Sequence, residues 1–198
     1  MKTIETLLEE VGEDKHQNLT TTSFKFKTDL WNFFHGFQDK VAVEFGTHKG
    51  QTTRILSYLF KSIHTVNNTD NEYAKQLNID RTNISYHNVD LYSTQSVLVD
   101  EPISMFLIDA GHSYDHVIAD LNRAFSMQCS EECYIVFDDY GLIPDVRAAV
   151  DYAINQKCLT VIAEIGHEAG HNFGIGNKGG DDRILQKSEG LITKIIFQ

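Results

Sequence analysis

The chain has 198 residues, 41% of them hydrophobic and 23% charged, and 28 acidic against 17 basic side chains leave it a net charge of −11. That length suits a single hydrophobic core, and the composition excludes wholesale disorder. An acidic surface repels polyanions on average, so no nucleic acid and no acidic membrane is expected as a partner.

In chain order, Ile4, Leu7, Leu8 and Val11 recur at helical spacing, and Leu30, Phe33, Phe34 and Phe37 make a second apolar stripe. Residues 1–38 therefore read as a helical cap, with the polar, threonine-rich stretch from Asn18 to Ser23 as a loop between its helices. Trp31, Phe33, Phe34 and Phe37 are candidates to cover an active site. The first ten residues are acidic and amphipathic and lack the apolar centre of a signal peptide. No apolar run approaches the ~20 residues that span a bilayer. Three cysteines make no disulfide framework, so a reducing cytoplasm is the expected setting.

From residue 41 the rhythm changes. Val41 to Phe45 is a strand, followed after Gly46 and Gly50 by a helix from Thr52 to Phe60. Strands follow at Ile63–Val66 and Ile84–Val89, with a short helix from Asn71 to Leu77 between them. Ile103–Ile108 and Tyr134–Phe137 are further strands, backed by helices Tyr114–Met127 and Pro144–Gln156. Leu159–Ile165 and Leu191–Phe197 are late strands separated by a glycine-rich stretch. The alternation predicts an α/β sheet with helices on both faces. Ligands of such sheets sit at the carboxyl ends of the strands. Glu44 with its glycine loop, Asn67, Asp90, Asp109 and the pair Asp138-Asp139 all stand at those ends.

The loop Glu44-Phe45-Gly46-Thr47-His48-Lys49-Gly50-Gln51-Thr52-Thr53 lets backbone approach a ligand and aims helix N–H groups at it. It is not a dinucleotide fingerprint, because His48 stands where a middle glycine would be, and not a P-loop, because Lys49 precedes the second glycine. Taken alone, it reads equally as a tight turn. Together with Asp109-Ala110-Gly111-His112-Ser113-Tyr114 and Phe137-Asp138-Asp139-Tyr140, it resembles the class I S-adenosylmethionine-dependent methyltransferases. The likeness covers residues 36–165 and is nearest to the small bacterial enzymes that include the macrocin-type O-methyltransferases.

The resemblance implies a Rossmann-like seven-stranded sheet whose last strand is antiparallel, in one methyltransferase domain of residues 1–198. Residues 39–165 would be its cofactor-binding core, and residues 166–198 its late loop and final strand. It further implies that Gly46, Thr47, His48, Gly50 and Thr52 surround the methionine end of S-adenosylmethionine, with Glu44 nearby. Asp90 would face the adenine amino group, and Asp109 the sulfonium and the acceptor. Asn67 falls at the ribose position, where family members usually carry an acid; its carbonyl can still accept one hydrogen bond.

Asp109, Asp138 and Asp139 form a candidate metal set, since converging carboxylates repel one another unless a cation neutralises them. Mg²⁺ or another divalent cation takes such oxygens, and the resemblance to metal-dependent O-methyltransferases implies that it holds the acceptor. Alternatively, Asp138 or Asp139 caps the following segment. His112 is the candidate general base beside the acceptor, or else a residue that orders its loop. His116, one helical turn on, reads as structural or exposed.

A rival lies at His167-Glu168-Ala169-Gly170-His171, which spells a zinc-hydrolase motif and continues to Gly174 and Asn177. That chemistry needs both histidines on one helix face. Gly166, Gly170, Gly174 and Gly176 crowd the motif, and the preceding residues are β-branched. A loop folding over the acceptor is the other use of this stretch. Cys129 and Cys133 read as flanking a turn and Cys158 as isolated, all three as reduced thiols. The residues thus point to a methyltransferase acting on a small hydroxylated acceptor. The alternatives are the zinc hydrolase and a non-catalytic Rossmann-like binding protein, and the amphipathic first helix leaves a homodimer open.

Overall fold

The structure, a computed structural model, describes residues 2–12, 14, 21–93, 95, 97–168 and 188–197. Helices α1 (Ile4–Val11) and α2 (Phe24–Phe34) precede strand β1 (Val41–Phe45) and helix α3 (Gln51–Leu59). Then come β2 (Ser62–Asn67), α4 (Glu72–Leu77), β3 (Ile84–Asn88), β4 (Ile103–Ile108) and α5 (Tyr114–Ser126). The chain ends with β5 (Cys129–Phe137), α6 (Pro144–Asn155), β6 (Leu159–Glu168) and β7 (Ser188–Ile195). No described helix is long and apolar enough to cross a membrane.

The strands form one seven-stranded sheet in the order β3-β2-β1-β4-β5-β7-β6. β7 runs antiparallel to both of its neighbours, and the other pairings are parallel. Strand order reverses between β1 and β4, which places a crevice outside their carboxyl ends.

Strand periodicity decides what each face packs against, because successive side chains point to opposite sides. On β1, Val41, Val43 and Phe45 join the core under α5 and α6, with Val117, Leu121, Val146 and Val150. Ala42 faces the other way, into the core formed with Leu7, Phe26, Leu30, Ile55 and Leu59 of α1, α2 and α3. Ile135 and Phe137 against Tyr134 and Val136 repeat the alternation on β5. Both faces are covered, so the central strands read as unbroken apolar runs. The first two helices thus cover one face of the sheet rather than its ligand-binding end.

The link from helix α2 to the last strand is polar and buried. Ser23 caps α2 by accepting from the Phe26 N–H at 3.0 Å, and its hydroxyl donates to the Glu189 carboxylate. The Ser23 N–H donates to the same carboxylate at 2.8 Å, and both side chains are fully buried.

Three expectations are corrected here. β5 starts at Cys129, because Ile103 pairs with Cys129 and Met105 with Tyr134, so Ser104 stands opposite residues 130–133 in a wide bulge. Cys129 and Cys133 therefore belong to one strand and flank no turn. β7 runs Ser188–Ile195, displaced from the apolar run Leu191–Phe197, because its polar first residues continue the ladder with β6. Finally, Phe34 is buried edge-on against Phe33, Phe37 and Tyr134, with Phe60 beside it. That cluster lies towards the amino ends of the central strands, opposite the site it was expected to cover.

Candidate active site

The crevice at the strand switch holds a cavity of about 560 Å³, whose walls include Gly46, His48, Asn67, Tyr92, Asp109 and His112. One wall begins where β1 turns into the glycine loop. Gly46 has φ +101, and a Cβ there would stand 1.9 Å from the Asp109 carbonyl oxygen. Its N–H donates to the Val66 carbonyl at 2.9 Å. Glycine is required at this position because the loop passes against the backbone of β4, before any ligand is considered. Gly50 is alike: with φ +74, its missing Cβ would meet Ala74 and the Asn78 amide at 2.8 Å. Asn78 in turn donates to the Gly50 carbonyl at 3.0 Å, which locks α4 against the start of α3.

Between the glycines, His48 adopts φ 41, a left-handed conformation rare for a residue with a Cβ. Glu44 lies beneath the loop and outside the large cavity. Its carboxylate oxygen accepts from Thr53 at 2.5 Å and Thr65 at 2.6 Å. Burial pushes this carboxyl up to about 8, against the opposing pull of the two hydroxyls; the Asp109 charge adds to the rise and Lys27 resists it. Glu44 borders only a narrow pocket, shared with Thr22, Gly46, Thr52 and Asp109. There the Thr22 and Thr52 hydroxyls meet at 2.9 Å, so the segment entering α2 reaches the glycine loop.

At the end of β2, Asn67 borders both the large cavity and a neighbouring one of about 230 Å³ that Thr47 also lines. Its amide donates to the Thr69 carbonyl at 3.1 Å and hydroxyl at 3.0 Å. Those bonds orient the side chain and leave its carbonyl as the acceptor. Asp90 is placed differently from expectation. It is exposed, and its carboxylate accepts from the Tyr92 N–H at 2.9 Å, so it shapes the turn after β3 and is not among the residues lining the cavity.

Tyr92 escaped the sequence reading, and His116, read as structural or exposed, is exposed and lines the cavity beside it. The rings of Tyr92 and His116 stack with centroids 4.0 Å apart and planes at 17°. Gly111 makes room for them, since a Cβ there would lie 2.2 Å from the Tyr92 hydroxyl and 2.5 Å from the His116 ring. Burial raises the Tyr92 phenol to about 12, and the Asp120 charge adds to it. The available signal was an aromatic residue two positions after a strand-end acid, which becomes meaningful only once α5 is set beside that turn. Asp120, one turn after His116, is fully buried with no hydrogen bond to either carboxylate oxygen. Burial pushes it up to about 7, with Arg123 and His112 pulling the other way.

Across the cavity, Asp109, His112 and Asp139 offer one ligand atom each within 4.8 Å of one another, the one such metal-capable group among the described residues. His112 Nε2 lies 3.2 Å from an Asp139 oxygen and 3.8 Å from an Asp109 oxygen. Asp138 is not in the group; it is buried, and its N–H donates to the Ile108 carbonyl at 3.2 Å. Asp139 has φ 57, and its carbonyl accepts from the Leu142 and Ile143 N–H groups at 3.0 and 2.9 Å, which turns the chain into α6. The expected trio of carboxylates is thus a pair with an imidazole.

The zinc-hydrolase motif fares differently. His167 and Glu168 are the last residues of β6, and the His167 N–H donates to Glu189 at 3.3 Å. A strand cannot present the helix face that the motif needs. His171, with Gly170, Gly174 and Asn177, lies outside the described residues, as does the late loop expected over the acceptor.

A family model described as a methyltransferase domain matches residues 43–140, from β1 to the turn that carries Asp139. No curated protein matches the chain. Among solved structures, the chain is similar to the O-methyltransferase TomG from Streptomyces achromogenes, involved in tomaymycin synthesis and solved with S-adenosylmethionine. That match has a TM-score of 0.62 at 14% identity and covers 100% of this chain and 92% of TomG. The tRNA (m1A58) methyltransferase TrmI from Aquifex aeolicus matches with a TM-score of 0.62 at 16% identity, over 100% of this chain and 77% of TrmI. The N-methyltransferase NodS from Bradyrhizobium japonicum, solved with S-adenosyl-L-homocysteine, has a TM-score of 0.58 at 12% identity over 97% and 96% of the two chains. At these identities the likeness is one of fold.

Proposed function

We propose that this chain, which carries a class I S-adenosylmethionine-dependent methyltransferase domain, transfers the cofactor's methyl group to a hydroxyl oxygen of a small acceptor. The observation that carries the proposal is the cavity at the strand switch. Gly46, Asn67, Asp109 and His112 all line it, with Asp139 beside His112, so one enclosure has room for a cofactor next to a proton acceptor.

S-adenosylmethionine brings an electrophilic methyl on a sulfonium, so the protein's tasks are alignment and proton removal. The Gly46–Gly50 loop receives the methionine end, Asn67 accepts from one ribose hydroxyl, and the stacked rings of Tyr92 and His116 wall the nucleoside side. Thr47 and Thr52 act from behind the loop, Gly50 by closing it on α4, and Glu44 as its buried floor. Asp90 acts through the turn that sets Tyr92.

Proton removal falls to the group around His112. With carboxylate oxygens at 3.2 and 3.8 Å, an imidazole is held in place. Asp109 and Asp139 also suit a divalent cation, which would lower the pKa of a coordinated hydroxyl. The acidic balance of the chain favours a small acceptor over RNA, although RNA methyltransferases share the fold.

The test is a melting experiment with S-adenosylhomocysteine. A ligand that binds only the folded state raises the melting temperature by mass action. No shift with either S-adenosylhomocysteine or S-adenosylmethionine at millimolar concentration overturns the proposal.

A further inference from the structure

We infer that Cys129 and Cys133 form a reactive dithiol, which a hydroperoxide oxidises to a reversible Cys129–Cys133 disulfide at the amino end of β5. The pair lies at the opposite end of the sheet from the strand-switch cavity, and the inference does not rest on the methyl-transfer reading.

The first argument is the bulge in β5. Residues four apart on a regular strand are separated by about 13 Å, far beyond the span of a disulfide. Here Cys129 pairs with Ile103 and Tyr134 with Met105, so the chain from Cys129 to Tyr134 covers only about 7 Å of β4. Cys133, one residue before Tyr134, is thereby drawn towards the Cα separation of about 4.4–6.8 Å that a disulfide bridges. Both side chains serve one face of the sheet: Cys133 is buried in the core under α5 and α6, and Cys129 packs against that core.

The second argument is access. Cys129 is half-buried and lines a cavity of about 420 Å³ with Phe125, Met127, Cys158 and Ile195. An oxidant reaches the Cys129 sulfur through that cavity, whereas Cys133 is fully buried and is not among its lining residues. The third argument is the effect of each thiol on the other. The Cys133 S–H lowers the Cys129 pKa, against the opposing effect of burial. Hydrogen bonding to Cys129, burial and the Cys129 charge all push Cys133 up. The accessible member of the pair is thus the better nucleophile, and the buried one stays a thiol.

The chemistry balances with a hydroperoxide as the two-electron oxidant. The Cys129 thiolate attacks the outer peroxide oxygen. An S–O bond forms, the O–O bond breaks, and the leaving oxygen takes up a proton as water or an alcohol. Cys129 is then a sulfenic acid, and the thiolate charge that opposed ionisation of Cys133 is gone. The Cys133 sulfur attacks the Cys129 sulfur, S–S forms, S–O breaks, and the departing hydroxide leaves as water with the Cys133 proton. A dithiol reductant returns both thiols by exchange.

The experiment uses the full chain, reduced, freed of reductant, treated with hydrogen peroxide at neutral pH, then alkylated and digested with trypsin. Residues 124–147 form a single tryptic peptide that holds both cysteines. The expected result is that this peptide loses two hydrogens and resists alkylation, that Cys158 is alkylated, and that dithiothreitol reverses the change. Cys133→Ser and Cys133→Ala, each checked for an intact circular dichroism spectrum, should instead leave a Cys129 sulfenic acid that dimedone traps. Cys129→Ser should cut oxidation of Cys133 about tenfold, and Cys158→Ser should change disulfide formation less than about twofold.

Two alkylated thiols in the 124–147 peptide after peroxide treatment overturn the inference, as does a disulfide from Cys129 to Cys158 or between two chains. Dimedone labelling of Cys129 that is as strong in the parent as in both Cys133 variants also overturns it, because Cys129 would then oxidise without a resolving partner.

Discussion

Glu44 is a strand-end acid buried beneath the glycine loop. Its carboxyl titrates near 8 in the fold, against an ordinary value of 4.5. The folded state therefore keeps a proton that the unfolded chain releases. The contribution of this one group to stability is greatest below pH 4.5, falls as pH rises from there towards 8, and levels off above. Glu44→Gln should flatten that decline, read as a smaller difference in urea midpoint between about pH 5.5 and about pH 8. An unchanged difference would mean that another group carries the effect. Asn67 makes the opposite kind of point, because its amide is held by Thr69 and only its carbonyl is left for the ribose that the proposed function places there. Asn67→Asp would give the ribose a charged acceptor, and S-adenosylhomocysteine should bind roughly fivefold more tightly, about 1 kcal/mol. Weaker binding in a folded Asn67→Asp protein would remove the ribose from this position.

At the scale of elements, the glycine loop is decided by the strand beside it. A methyl group at Gly46 would stand 1.9 Å from the Asp109 carbonyl oxygen, so Gly46→Ala must part β1 from β4 as well as strain φ. A loss of about 3 kcal/mol or more is expected, visible as a lower melting temperature with no ligand present. A Gly46→Ala protein that melts like the parent and loses only cofactor binding would restore ligand approach as the reason for the glycine. The join between α2 and β7 is a second such case. Ser23→Ala removes a helix cap and a buried donor to Glu189 together, and should cost about 2 kcal/mol in urea denaturation. A loss below about 0.5 kcal/mol would show that the Ser23 and His167 N–H groups satisfy Glu189 without the hydroxyl.

At the scale of the whole molecule, a net charge of −11 sets this chain apart from partners whose affinity is built on phosphate contacts. Bulk RNA should not be retained even at about 50 mM salt, where such contacts are strongest. Retention that weakens steeply with added salt would reveal a basic patch and favour an RNA acceptor. The alternation of strands and helices was legible residue by residue, because the periods of two and 3.6 are local properties of the chain. So was the clustering of Glu44, Asn67, Asp109 and Asp139 at the carboxyl ends of the strands, where the apolar runs stop. What each of those residues does was not legible. Glu44 and Gly46 owe their roles to β4 lying alongside β1, and Tyr92 and His116 meet only because α5 crosses the turn after β3. Asp138 and Asp139 are neighbours in sequence and both buried, yet only Asp139 is brought to His112. The amino-acid sequence by itself determined the elements and the end of the sheet where chemistry gathers, because those follow from local periodicity. Which side chains converge there was decided only by the tertiary structure, because convergence depends on strand register and on the direction in which each loop leaves its strand.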